Sequence, residues 1–129
     1  MTTVVWRVLV ADDDPTVGLL MSAALPKEEF ALSVVTDGLQ ALAALQANDF
    51  DLLLLDVEMP GAGGLEVCAA ARRINGGQVP VLFLTGRADA QFVEEMRALQ
   101  ADCICKPIDW GQLASCLLGR LAGQPGKAG

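Results

Sequence analysis

The sequence predicts an α/β fold built on a single doubly wound, five-stranded parallel sheet. Three observations lead there. Strand-like and helix-like segments alternate five times along the chain. Residues 6–11, 51–55 and 81–84 are nearly continuous apolar runs, the pattern of parallel strands covered by helices on both faces. Polar and charged residues stand where these runs end, at Asp12-Asp13-Asp14, Asp56 and Thr85. In open sheets of this kind, ligands bind beyond the carboxyl ends of the strands.

The elements follow in order. A first strand covers 6–11. Asp14-Pro15 then opens a helix with a capping carboxylate and proline at the first position, and Pro26 closes it. A second strand covers 31–35. Thr36-Asp37 caps a helix to about Ala47, with Leu39, Leu42, Ala43 and Leu45 as its expected apolar stripe. Asn48-Asp49 is a turn signal before a third strand at 51–55. Pro60, Gly61, Gly63 and Gly64 make 56–64 a loop, and a helix follows from about Gly64 to Ile74, ended by Asn75-Gly76-Gly77. A fourth strand at 81–84, a helix from about Ala88 to Leu99 and a short fifth strand at 103–105 come next. Asp109 is expected to cap a last helix to about Ala122. The glycine-rich stretch 123–129 reads as a flexible tail or the start of a linker, leaving 1–122 as one domain.

Composition excludes several classes of function. The chain has 129 residues, 53% of them hydrophobic, which suits one folded domain with one core. No apolar run reaches the ~18 residues that span a bilayer, and none has the architecture of a signal peptide. The expected location is the cytoplasm. A net charge of -7 argues against nucleic acid as a partner, since phosphate backbones attract basic patches. The absence of histidine removes imidazole bases, Ser-His nucleophiles and His-ligated metals. Cys68, Cys103, Cys105 and Cys116 are poorly spaced for zinc, so reduced, buried thiols are expected.

Asp12 and Asp13, Asp56, Thr85 and Lys106 all project from strand carboxyl ends. A carboxylate ending a buried strand is costly unless a cation or donor compensates. Carboxylates, a hydroxyl and an ammonium around one crevice suit phosphoryl transfer. The carboxylates and water can meet the octahedral oxygen preference of Mg²⁺, and an ionised aspartate can attack phosphorus.

The stretches VLVADDDP (8–15), LLLLDVEMPGAGGLE (52–66), PVLFLTGRAD (80–89) and CICKPID (103–109) resemble the four signature segments of the response-regulator receiver domain. The resemblance spans about residues 6–122 and implies a CheY-like, flavodoxin-like sheet of order 2-1-3-4-5. It further implies that Asp56 is the phosphoacceptor, and that Asp12, Asp13 and Asp56 hold Mg²⁺ (or Mn²⁺) with the backbone carbonyl of Glu58. Thr85 binds and senses the phosphoryl group, Lys106 neutralises it, and Lys106-Pro107 is a cis peptide. Glu58 and Arg87 flank the site and are expected to slow hydrolysis of the phosphoryl group. Cys103 departs from the family, which usually has an aromatic switch residue there, and is expected to move little on activation.

The implied partners are a histidine kinase or histidine phosphotransfer protein and an unspecified output partner or domain; a homodimer stays open. The implied role is a signalling acceptor that assists its own phosphorylation and dephosphorylation, rather than an enzyme acting on a metabolite. Two alternatives compete with it: a receiver-like interaction module that needs no phosphorylation, and a haloacid-dehalogenase-type phosphatase using Asp12-x-Asp14. Trp110 is expected to pack locally against Pro107.

Overall fold

The computed structural model of the chain describes residues 4–74, 77–86 and 89–122. Five strands and five helices alternate strictly: β1 (Trp6–Ala11), α1 (Pro15–Ala24), β2 (Phe30–Val35), α2 (Gly38–Ala47), β3 (Leu52–Asp56), α3 (Gly64–Ala71), β4 (Val81–Thr85), α4 (Ala90–Ala98), β5 (Asp102–Cys105) and α5 (Leu113–Leu121). The strands form one parallel sheet in the order β2-β1-β3-β4-β5, as expected.

The apolar strands work by alternation. Leu9, Leu53, Leu55 and Phe83 point to the face covered by α2, α3 and α4, where they join Ala41, Val67, Phe92 and Met96. Val8, Val10, Leu52, Leu54, Leu82 and Leu84 point to the other face, against Val17 and Met21 of α1 and Leu113, Leu117 and Leu121 of α5. Successive side chains of a strand face opposite ways, so a continuous leucine run feeds two cores at once. Burying each such side chain contributes about 1.5–3 kcal/mol.

Some expectations need correction. Of the expected stripe on α2, Leu45 is buried and Leu42 packs against the core, whereas Leu39 is 63% exposed and Ala43 is also exposed; Gly38 and Ala41 complete the buried face. The start of the helix approaches the β3–α3 loop too closely for any side chain: a Cβ on Gly38 would lie 1.8 Å from the carbonyl oxygen of Ala62. Helix α5 begins at Leu113 rather than after Asp109. Asp109 instead makes a turn, its Oδ1 accepting the Gly111 N–H at 3.2 Å and its carbonyl accepting the Gln112 N–H at 3.1 Å. Helix α3 stops at Ala71, before Ile74. Trp110 is half-buried against the core formed with α1 and α5. All four cysteines are free, but only Cys68 is buried; Cys103 is half-buried, and Cys105 and Cys116 are exposed. The expected tail at 123–129 lies outside the described residues.

Arg72, at the end of α3, ties three segments together. Its guanidinium donates to the carbonyls of Leu99 (2.7 Å), Gln100 (3.3 Å), Gly77 (3.1 Å) and Val79 (2.6 Å), joining α3 to the end of α4 and the approach to β4. At the same end of the sheet, buried Asp51 accepts the Arg7 N–H at 2.8 Å, while its own N–H donates to the Arg7 carbonyl at 2.7 Å. These contacts hold the sheet opposite its carboxyl ends. Among the described residues, no helix is long and apolar enough to cross a membrane.

Candidate functional site: a carboxylate cluster at the carboxyl ends of the strands

β1 and β3 pair in register, Ala11 opposite Leu55, so the residues following them emerge side by side. Asp12, Asp13 and Asp56 each bring a carboxylate oxygen within 4.8 Å of the others. Asp12 is 2% exposed, and both its oxygens are engaged: Oδ1 accepts the Asp14 N–H at 2.9 Å and Oδ2 the Lys106 ammonium at 3.1 Å. Lys106 Nζ also lies 3.5 Å from Asp56 Oδ1. Asp13 is exposed at the mouth. Asp14 does not belong to the cluster; its Oδ1 caps α1 by accepting the Thr16 N–H at 2.9 Å. The Asp-x-Asp pattern of the phosphatase alternative therefore has its second carboxylate committed to a helix end.

Lys106 reaches the cluster because β5 ends beside β4. The Lys106 N–H donates to the Thr85 carbonyl at 2.9 Å, continuing the β4–β5 ladder by one step. Thr85 is the last residue of β4 and is buried. The Lys106-Pro107 peptide is cis. Glu58 stands two residues after Asp56, exposed on the β3–α3 loop. Cys103 packs half-buried against the core formed with α2, α3 and α4. Arg87 lies outside the described residues.

Three clustered carboxylates repel one another, and the effect falls on Asp56. Burial first, then the negative charge of Asp12, push its carboxyl up to about 6, although Lys106 pulls the other way. Burial alone would lower Lys106, yet its hydrogen bond to Asp12 and the charges of Asp12 and Asp56 hold its ammonium above the usual range. The single ammonium therefore compensates the cluster only in part. A hard divalent cation would relieve the remaining repulsion, and the donor set (acceptor-only oxygens, with no sulfur or imidazole) is the kind Mg²⁺ prefers. The residues fit such an ion.

The loop after Asp56 is shaped by close approach, a role the sequence marked only as a string of loop formers. The Gly64 N–H donates to the Val57 carbonyl at 2.8 Å, and a Cβ at Gly64 would lie 2.2 Å from the Asp56 carbonyl oxygen. On the other side, the Gly38 N–H donates to the Pro60 carbonyl at 3.0 Å. Gly38 escaped the sequence reading because nothing local distinguishes a glycine opening a helix from one receiving a distant loop.

Comparison with known proteins agrees with this geometry. The family model described as "Response regulator receiver domain" matches residues 8–117. The DNA-binding response regulator MtrA of Mycolicibacterium smegmatis is 36% identical over 124 residues, covering 94% of this chain and 53% of the relative. The transcriptional regulatory protein TcrA of Mycobacterium tuberculosis is 43% identical over 81 residues, covering 63% of this chain and 32% of that protein. The chain thus spans about half the length, or less, of these curated relatives. Among solved structures, the chemotaxis protein CheY4 of Vibrio cholerae superposes with a TM-score of 0.80 at 27% identity, covering 89% of this chain and 98% of that one. A CheY-like receiver domain protein of Methanospirillum hungatei, at 23% identity and a TM-score of 0.83, covers 91% of this chain and 94% of its own and shares the fold. The chain belongs to the response regulator receiver domain family of two-component systems.

Proposed function

We propose that this chain, in the cytoplasm, accepts a phosphoryl group on Asp56 from a phosphohistidine of a histidine kinase or phosphotransfer protein, and that residues 1–122 form the accepting domain. The observation that carries this reading is the convergence of Asp12, Asp13 and Asp56 within 4.8 Å, with Lys106 bridging Asp12 and Asp56. Asp12, Asp13, Asp56 and the backbone carbonyl of Glu58 would hold Mg²⁺ or Mn²⁺. When bound, the ion neutralises charge between the carboxylates and the arriving phosphoryl oxygens.

The chain's own residues do the rest. The ionised Asp56 carboxylate attacks phosphorus, forming an acyl phosphate as the phosphorus–nitrogen bond to the donor histidine breaks. Lys106 Nζ, already between Asp12 and Asp56, follows the added charge onto the phosphoryl oxygens. Thr85, ending the adjacent strand, supplies a hydroxyl to the same group. Hydrolysis regenerates the carboxylate, and Glu58 with Arg87 modulates its rate. The phosphoryl group shifts a population between two surface states, and a coupling of ~1–3 kcal/mol would be ordinary for such a switch. The output partner or domain reads that change. Cys103, unable to sweep the volume of an aromatic ring, moves little.

The test is transfer of label from a panel of phosphorylated histidine kinases. Label should reach the wild-type chain, should be lost in Asp56→Asn and in excess EDTA, and should persist in Asp14→Asn. Label retained by Asp56→Asn would overturn the assignment.

A further inference from the structure

Cys103 and Cys105 are two residues apart on β5, so their thiols lie on the same side of the strand. That side faces α3 and α4, because Cys103 packs on the core those helices share. β5 is the outer strand of the sheet, and Cys105 is exposed, so the pair opens to solvent. Neither sulfur is in a disulfide. Burial first, and then the neighbouring Cys105, push the Cys103 thiol up, as expected for two sulfurs that share one side of a strand. We propose that Cys103 and Cys105 form a two-thiolate binding site for a soft monovalent cation, Cu(I), separate from the oxygen cluster around Asp56.

The chemistry of the donors selects the ion. Thiolate sulfur prefers soft cations, whereas Mg²⁺ and Mn²⁺ prefer the oxygens of the carboxylate cluster. Structural zinc requires four ligands. Among the described residues, the one group of three or more side chains placed to share a metal is Asp12, Asp13 and Asp56, so β5 offers two sulfurs without a third ligand. A d10 monovalent ion is satisfied by two sulfurs in a near-linear arrangement. On binding, each thiol gives up its proton to water and its sulfur forms one bond to copper. Two protons leave, a complex of charge -1 remains, and no electron is transferred. The ion arrives from a thiol-bound Cu(I) carrier, whose copper–sulfur bonds break as these form and whose freed thiolates take up protons from water in exchange.

The site is physically linked to the acceptor cluster. Cys105 immediately precedes Lys106, whose N–H is held by the Thr85 carbonyl and whose ammonium binds Asp12. Fixing β5 through its two sulfurs therefore constrains the residue that compensates the carboxylates.

The experiment is an anaerobic titration of the fully reduced chain with Cu(I) against a competing chromophoric chelator. One Cu(I) should bind per chain. Cys103→Ser and Cys105→Ser should each weaken binding by roughly 100-fold or more, the scale of losing an intramolecular second contact. Cys116→Ser should bind as wild type does. X-ray absorption should show two sulfur neighbours on copper. Binding in Cys105→Ser within a few-fold of wild type, loss in Cys116→Ser, or a copper shell containing nitrogen, oxygen or a third sulfur would overturn the proposal. Cys105 is exposed, so its serine variant should keep the fold, which circular dichroism checks. As a second perturbation, a methylthio group placed on the exposed Cys105 in the Cys116→Ser background should abolish binding equally, and undiminished binding would refute the site.

Discussion

Replacing Asp56 with asparagine should stabilise the metal-free protein. The carboxyl of Asp56 titrates at about 6 in the folded chain against an ordinary 3.8, because burial and the charge of Asp12 oppose its ionisation. The sign follows from proton linkage. Between these two values the folded state binds more protons than the unfolded state, so stability falls as pH rises from about 4 to about 6. Above that window the ionised carboxylate imposes its full penalty. Two pKa units correspond to about 3 kcal/mol, and solvent at the open mouth of the cluster reduces this to roughly 1–3 kcal/mol. The asparagine amide carries no charge and keeps nearly the same shape as the carboxylate it replaces. Urea denaturation in excess EDTA should therefore show Asp56→Asn more stable than wild type at pH 7.5, with the gain shrinking to nothing near pH 4. Adding Mg²⁺ should stabilise wild type in proportion to RT ln(1 + [Mg²⁺]/Kd) and leave the variant nearly unchanged. A variant equal to or less stable than wild type at pH 7.5 would refute the claim that repulsion is stored at Asp56.

Other perturbations separate Asp56 from its supports. Lys106→Met leaves buried Asp12 without its ammonium and should lower metal-free stability by roughly 1–3 kcal/mol, measured by thermal unfolding; an unchanged midpoint would mean the pair contributes nothing. Gly64→Ala drives a Cβ into the Asp56 carbonyl and should cost about 1–3 kcal/mol while weakening Mg²⁺ binding, with calorimetric titration as the check. Arg72→Met strips the partner from four carbonyls in two segments and should cost roughly 2–4 kcal/mol, whereas Arg73→Met, at an exposed position, should change stability by less than about 0.5 kcal/mol. Phe92→Ala removes a fully buried ring packed edge-on against Phe83 at 5.6 Å and should cost about 3–5 kcal/mol by denaturant unfolding.

Much of the fold was legible because its signals are local. The leucine run 52–55 is short and bounded by turn signals, so it reads as a strand buried on both sides with an aspartate at its end. Asp12 and Asp13 follow Val8-Leu9-Val10-Ala11 by the same logic, so parallel pairing alone brings the carboxylates together. What failed depended on distances between elements. In α2, leucines and alanines lie on several faces, and hydrophobicity cannot choose among them. The inward face combines Leu45 with two small residues, Gly38 and Ala41, and Gly38 is needed where the β3–α3 loop presses against the start of the helix. Asp109 carried a capping signal, but its side chain serves a turn at Gly111, and α5 starts later. Arg72 gave no signal at all: its carbonyl partners lie in segments up to 28 residues away and only the tertiary fold assembles them. Cys105 is uncovered because β5 is short and at the sheet edge, a placement the local sequence does not carry.

The most direct measurement is mass spectrometry of the chain after incubation with acetyl phosphate and Mg²⁺, followed by proteolytic mapping. The chain should gain the mass of one phosphoryl group, carried by the peptide containing Asp56 and lost on omitting the metal or in Asp56→Asn. A gain mapped to another residue, or no gain while Mg²⁺ binds, would contradict this reading and favour an interaction module that works without phosphorylation.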